Sequence, residues 1–595
     1  MKKKLVLIIV VAAIIGLLYV PVSEYLKTLQ VYYKFYSKIT PSTDSIFFEP
    51  KRQEPYFPPE FNEQARLFYL CKIWGFVKYH AEDRSLLADM DSLLMAAIPK
   101  AISATDKEDF SEVLKAFISP ALAYHSTGSN PYQNLGDYIL IDDRWITDTL
   151  CLYRGIKADL DTIWKRHTGK TTYFAYNKSN TGNIRLNNEP AYLQFPHEPI
   201  RLLGLFRYWN LINYFYVYKN HIEGSWDKVL YDAIPIFRAA DNKEKYHRAI
   251  YRLTNQLMDT HASYPATVDD VVFGPYRPNF RMLLVDSTFI INKIRLSEHN
   301  DNTFRVGDRV LKVDHQDIYA LSDSLNAYVC GGNYWSNQFF LTNAVLSRRD
   351  STTLFTIVRA GDTLSVRSRN HRVKEMFLSE REEDKDNEKN TLYRWINDGI
   401  AYFDLRSATP DNFSRNYKPI KSASAIILDL RCYPNTNLIL NLTDAFVPPN
   451  SFFAYVTYPD TRFPGMARYM RSSSGNIGSK DYFKGHVIVL VNEWTRSFSE
   501  YTAMALQANP KTITVGSSSS GSDGNVSIFE FPGEVASVYT GIGIYYPDFT
   551  PTQRAGVKID YVVEPTIASI ERKIDLAYET AIEIAKQKNH TKESK

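Results

Sequence analysis

The chain has 595 residues, about four times the usual length of one domain, so several modules are expected. With 44% hydrophobic and 23% charged residues it reads as a folded globular protein, which excludes disordered and collagenous classes. A formal charge of only +4 leaves no electrostatic footprint for nucleic acid, and Cys71, Cys151, Cys330 and Cys432 contain no CxxC pair, so neither a zinc knuckle nor a disulfide framework is indicated.

Lys2, Lys3 and Lys4 precede an uninterrupted apolar run from Leu5 to Val22, at the lower limit for crossing a hydrocarbon core of ~30 Å as a helix. The basic flank predicts a cytoplasmic N-terminus and an exported body. Residues 1–26 are therefore expected to be an inner-membrane anchor with a periplasmic body behind it. The alternative is a signal segment whose cleavage secretes the protein.

After a linker over 27–58, the chain repeats itself. Leu67, Leu70, Cys71, Trp74 and Val77 recur as Leu202, Leu205, Phe206, Trp209 and Ile212, each set forming one apolar stripe of a helix. With a one-residue shift the match continues through Asp91/Asp227, Leu94/Leu230, Pro99/Pro235 and Glu108/Glu244 to His125/His261. Two helical copies, 59–135 and 198–272, are predicted around a small β-containing insert at 136–197. The surplus of 41 Tyr and 33 Phe over 26 Gly is expected to pack this duplicated layer, where Trp74, Trp209, Tyr208, Tyr214 and Phe215 cluster.

From 273 to 372 the period becomes that of strands. FRVGDRVLKVD, with its turn at Gly307 and Asp308, resembles the corresponding stretch of PDZ domains, which implies a β module that binds an extended peptide by strand addition. A small barrel of another kind fits the same pattern. Residues 373–391 are a charged linker. Over 392–590, β-branched runs such as SAIILDLR, HVIVLVN and TITVG alternate with helical patterns, predicting an α/β layer.

In such layers, ligands collect beyond the C-terminal ends of strands. HVIVLVNEWTRSFSEYTAMALQ predicts a strand, a loop and a helix beginning near Ser499, with Ser497 at the helix start, where free N–H groups stabilise a developing anion. Spacing alone favours an S-x-x-E capping box of Ser497 and Glu500.

The stretch NE-x-T-x-S-x-S-E, followed by a glycine turn, closely resembles the core of the C-terminal-processing (tail-specific) serine peptidases and their tricorn-core relatives. The likeness extends to the ILDLR strand ending at Asp429 to Arg431, the turn at Gly516 and the GVKIDYVVEPT end. It implies a multidomain α/β protein whose peptidase core is of the crotonase/ClpP-like type, preceded by the PDZ-like module and the duplicated helical region. It also implies Ser497 as nucleophile, with Ser499 as the helix cap. His261 of QLMDTHASY becomes the general base and Thr260 a neighbouring hydroxyl. Backbone N–H groups of Phe498 and Asn435 become oxyanion donors. Asp523 and Glu500 are the nearest candidates for the acid that orients the histidine.

Two departures stand out. The dyad lysine of some members falls here on Ser522, and the Gly-Gly pair after DLR becomes Asn435 and Thr436 behind Pro434. The expected function is a serine endopeptidase acting on exported polypeptides, with no metal or organic cofactor. The rival is a disabled, membrane-tethered peptide binder on the same scaffold. Oligomeric state is open.

Overall fold

The computed structural model describes residues 39–41, 53–124, 144–178, 181–262, 266–295, 303–376, 392–397, 399–476 and 480–593. The apolar run at the N-terminus and His125 lie outside the described residues, within which no helix is long and apolar enough to cross a membrane.

Helices α1 (Glu63–His80), α2 (Arg84–Ser103) and α3 (Lys107–Ala123) form one set, and α4 (Glu198–Phe215), α5 (Trp226–Arg238) and α6 (Lys243–Asn255) form a second. The two sets use the same bonds at matching positions. Arg66 of α1 donates to the carbonyls of Ala101 and Ile102 in the last turn of α2, and Arg201 of α4 donates to Phe237 and Arg238 in the last turn of α5. Each pair satisfies carbonyls that a helix end leaves without internal partners. Likewise the indole of Trp74 reaches Met90 O, and that of Trp209 reaches Trp226 O.

The sets also hold each other reciprocally. Lys72 of α1 pairs with Asp227 of α5 at 2.6 Å, while Arg207 of α4 pairs with Asp91 of α2. Between these pairs α1 and α4 touch at Gly75, whose missing side chain leaves room for the Asn210 carboxamide. Asn210 donates from there to Cys71 O and Phe206 O, tying both helices together. A Cβ at position 75 would overlap that carboxamide. Gly75→Ala is therefore expected to destabilise by about 1–3 kcal/mol, since overpacking outweighs the gain of up to ~1 kcal/mol in helix propensity. A lowered midpoint of urea unfolding checks this.

Within the insert expected to contain strands, the two-stranded ribbon Ala175–Asn177 and Ile184–Leu186 is present, and so is a helix, Ile156–Lys165. That helix forms because Ile156, Leu160 and Ile163 line one buried stripe.

The next module is a sheet whose far edge is β1 (Phe280–Val285), which among the described residues pairs on one side only, with Thr288–Ile294. Helix α7 (Tyr334–Leu346) packs beside β1. The Gly307 and Asp308 turn is clamped by Arg359, which donates to the Asp308 carboxylate at 2.6 and 2.7 Å.

The C-terminal layer contains β2 (Tyr393–Asn397), β3 (Ile400–Asp404), β4 (Ala425–Asp429), β5 (His486–Val491) and β6 (Thr512–Gly516). Then come a hairpin, β7 (Val526–Phe531) and β8 (Val535–Thr540), and a short β9 (Tyr561–Val562). The sheet runs β2-β3-β4-β5-β6-β9, parallel except for β2. Its strands are apolar on both faces because both faces are covered. Ile426, Leu428, Val487 and Val489 meet Ala503, Met504 and Leu506 of α8 (Phe498–Gln507). Ile427, Ile488 and Leu490 meet Ala581, Ile584 and Ala585 of α9 (Leu576–Glu593). The β7–β8 hairpin leaves this layer and places Phe529 and Phe531 against Tyr208 of α4, with ring centroids at 5.3 and 5.0 Å.

Candidate active site

Strand β5 ends at Val491, at the C-terminal edge of the sheet, and the chain makes a tight turn before α8. Thr495 N–H donates to Asn492 O, and the Asn492 N–H returns a bond to the Thr495 hydroxyl. Ser497 follows with φ 52° and ψ −117°, a conformation that favours glycine and is held here by its surroundings. It is the residue that precedes the first turn of α8. Ser499, expected as the cap, instead lies inside the helix, because its hydroxyl is taken by Cys432 O at 2.9 Å and Leu430 O at 3.3 Å. Those bonds, with Thr495 Oγ1 to Leu430 O at 2.9 Å, pin the strap after β4 against the helix start.

Glu500 is the buried anchor of the turn. Its carboxyl accepts from the Ser497 N–H (3.0 Å), the Gly521 and Ser522 N–H groups (2.8 and 2.9 Å) and the hydroxyls of Ser519 and Ser520 (2.6 and 3.2 Å). Burial pushes its pKa above the usual carboxylate range, while hydrogen bonds from Ser519, Ser522, Gly521 and Ser497 pull it back. Ser522, at the place of the dyad lysine, is buried and shares a hydrogen bond with Ser520 at 2.6 Å.

The Ser497 hydroxyl donates to Gly524 O at 3.4 Å. Gly524 in turn lies under the methyl group of Thr540, the last residue of β8. The hydroxyl of that threonine is 2.8 Å from His261 Nδ1. The loop carrying His261 is also tied to the turn before α8, since Arg496 donates to Thr260 O at 3.4 Å. Ser497 and His261, 236 positions apart in sequence, are thus linked through Arg496, Gly524 and Thr540, without a direct hydrogen bond between them. Burial lowers the His261 pKa to about 4; Asp259 acts against that shift and Arg496 adds to it.

The carboxylate beside His261 is Asp259, fully buried, and neither Asp523 nor Glu500. Asp259 accepts from the His261 N–H at 3.0 Å, the Thr540 N–H at 2.7 Å and the Thr540 hydroxyl at 2.8 Å. Glu500 is committed to the serine-rich loop, and Asp523 accepts from the Gly524 N–H at 2.7 Å while burial and the Glu500 charge hold its pKa well above the carboxylate range. Thr260, expected as the hydroxyl next to the histidine, points elsewhere. It donates to Ser520 O at 2.8 Å and accepts from the Gly332 N–H at 2.7 Å, joining the helical layer, the β module and the core. The hydroxyl that meets the imidazole is that of Thr540, which the sequence reading missed. The alternating VSIFEFPGEVASVYT around a Pro-Gly turn signals the hairpin that delivers it.

At the strap, Phe498 opens α8 and its N–H belongs to the first turn. Asn435 is exposed; its side chain accepts from the Asn437 N–H at 2.9 Å and its carbonyl from Leu438 N–H at 2.9 Å, which fixes the strap into a short turn. No group of His, Cys, Asp and Glu that could hold a metal ion occurs among the described residues.

Residues 399–563, which span β3 to β9 and contain Ser497, match the model of peptidase family S41. Over that segment the chain is similar to the core of S41 peptidases. No curated protein sequence matches. Among solved structures, a mutant form of CPAF is similar at TM-score 0.51 and 14% identity, over 66% of this chain and 97% of that one. The photosystem II D1 C-terminal processing protease follows at TM-score 0.38 and 13% identity, over 61% and 93%. A peptidase from Parabacteroides merdae stands at 0.39 and 12%, over 66% and 97%. The CPAF likeness is one of fold.

Proposed function

We propose that this protein is an envelope serine endopeptidase in which Ser497 is the nucleophile and His261 the general base. The observation that carries the reading is the arrangement at the start of α8: a serine held in a strained turn at the C-terminal edge of a parallel sheet, joined through Gly524 and Thr540 to a partly buried histidine. In the reaction, the Ser497 Oγ–C bond forms as its proton passes to His261 Nε2, since Nδ1 is engaged by Thr540. The carbonyl oxygen becomes an anion facing the Phe498 N–H and the strap at Asn435. His261 then gives the proton to the leaving amine, and water releases the acyl group by the same route in reverse.

The substrate in this reading is an extended polypeptide that adds to the open edge of β1. That edge leads to the nucleophile: Trp494, three residues before Ser497, has the Arg281 guanidinium of β1 over its ring at 4.3 Å and stacks edge-on with Phe339 of α7 at 4.8 Å. In this reading residues 1–26 act as a membrane anchor or signal segment, and the substrates are exported polypeptides.

The rate at which a fluorophosphonate labels Ser497, mapped by mass spectrometry, tests this reading. The base must be neutral to accept a proton, so a lowered pKa keeps His261 competent in acid. Labelling is expected to stay constant from pH 8 to 5 and to fall with a midpoint near 4, well below the ordinary 6.5. The folded fraction is followed in parallel, because a histidine buried neutral also drains stability as pH falls from 6.5 toward 4. A midpoint at 6.5 in folded protein contradicts the assigned environment, and a label on another residue overturns the nucleophile.

A further inference from the structure

We infer that Thr540 is a positioning residue that sets the tautomer of His261 and relays the charge of Asp259 to it. The inference rests on the reading of His261 as base and follows from counting hydrogens. Thr540 has one hydroxyl hydrogen, and its Oγ1 lies 2.8 Å from both Asp259 Oδ1 and His261 Nδ1. A carboxylate can only accept, so that hydrogen goes to Asp259. The remaining lone pairs of Oγ1 then face the imidazole, which must present Nδ1–H. The lone pair is thereby confined to Nε2, the form a base needs before it meets the serine.

Direct contact between acid and base is weak by comparison, since Asp259 Oδ1 stands 3.9 Å from Nδ1, beyond hydrogen-bond range. The carboxylate is itself fixed, because Oδ2 takes the Thr540 N–H and Oδ1 the His261 N–H. When the imidazole gains a proton, the Nδ1–H···Oγ1–H···Oδ1 chain polarises in one direction and stabilises the cation. Thr540 sits at the base of the β7–β8 hairpin, whose far end is seated on Tyr208 of α4, so the helical layer sets where the relay stands.

The test uses the full-length chain with three substitutions, Thr540→Val, Thr540→Ser and His261→Ala, each measured for fluorophosphonate labelling rate, pH profile and urea midpoint. Valine keeps the shape and removes the hydroxyl. It is expected to slow labelling at pH 7 by at least about tenfold and to move the acid midpoint to lower pH, because the imidazolium loses its acceptor. Serine restores the hydroxyl and is expected to label within about threefold of wild type with an unshifted profile. A purely structural role would lower the urea midpoint while leaving the pH profile of the folded fraction in place, and that result overturns the inference. So does Ser labelling as slowly as Val. If His261→Ala labels at the wild-type rate, the base assignment itself fails. If His261→Ala is inert while Thr540→Val matches wild type, the base stands and only the relay falls.

Discussion

Replacing Ser497 by alanine is expected to lower kcat for cleavage of an unfolded polypeptide by about a million-fold and to abolish fluorophosphonate labelling. Loss of the attacking oxygen removes the covalent route altogether, so what remains is the modest stabilisation that an oriented N–H and bound substrate give to attack by water. Folding should be barely affected. Alanine meets the same φ of 52° as serine, and the hydroxyl bond lost to Gly524 O is a long one at 3.4 Å. A urea midpoint within experimental scatter of wild type, together with absent cleavage, is the expected pair of results. Equal cleavage by wild type and variant would return the scaffold to a peptide-binding role.

The second large effect is expected at Glu500, through the shape of the turn. In Glu500→Gln one carboxyl oxygen becomes an NH2 group. Whichever oxygen changes, at least one backbone N–H then faces a donor, because Oε1 serves the N–H of Gly521 while Oε2 serves those of Ser497 and Ser522. Leaving even one buried N–H without an acceptor costs about 1–3 kcal/mol, a sizeable part of the roughly 5–15 kcal/mol that holds a domain folded. The strained backbone at Ser497 is held by one of those bonds, so labelling should fall even where the protein remains folded. Urea unfolding and labelling at pH 7 measure the two losses separately. A variant unchanged in both would show that the carboxyl is not the keystone of the turn.

Which parts of this site were legible in sequence follows from how local each contact is. The serine turn was readable because strand, loop and helix are consecutive over 486–507 and each leaves its own periodicity. The same locality made Ser499 an attractive cap, and only the strap at Leu430 and Cys432, nearly 70 residues away, takes its hydroxyl elsewhere. His261 was found through a motif, but the role of Asp259 two residues earlier was hidden. A carboxylate accepting from the N–H two residues on is the ordinary bond of an Asx turn, and nothing local shows that its other partner comes from Thr540. Asp523, beside the position of the dyad lysine, and Glu500, three residues after the serine, are the acids that the sequence offers nearest to hand. In the fold, burial and five donors spend Glu500 on the turn, while one Asp523 oxygen accepts from the Gly524 N–H and the other is buried with no hydrogen-bond partner among the described residues.

The reciprocal pairs Lys72–Asp227 and Arg207–Asp91 have a consequence for how the helical layer responds to dilution. A surface in which each half offers a cation to the acid of the other is the pattern of a two-fold symmetric dimer, where a residue meets its counterpart across an axis. Here both halves are on one chain, and the linker between them sets a fixed local concentration of each for the other. Their meeting is a first-order event. Separation of the two halves should therefore show a thermal midpoint that is the same at nanomolar and at micromolar protein, whereas a dimer joined by the same contacts would come apart as the solution is thinned.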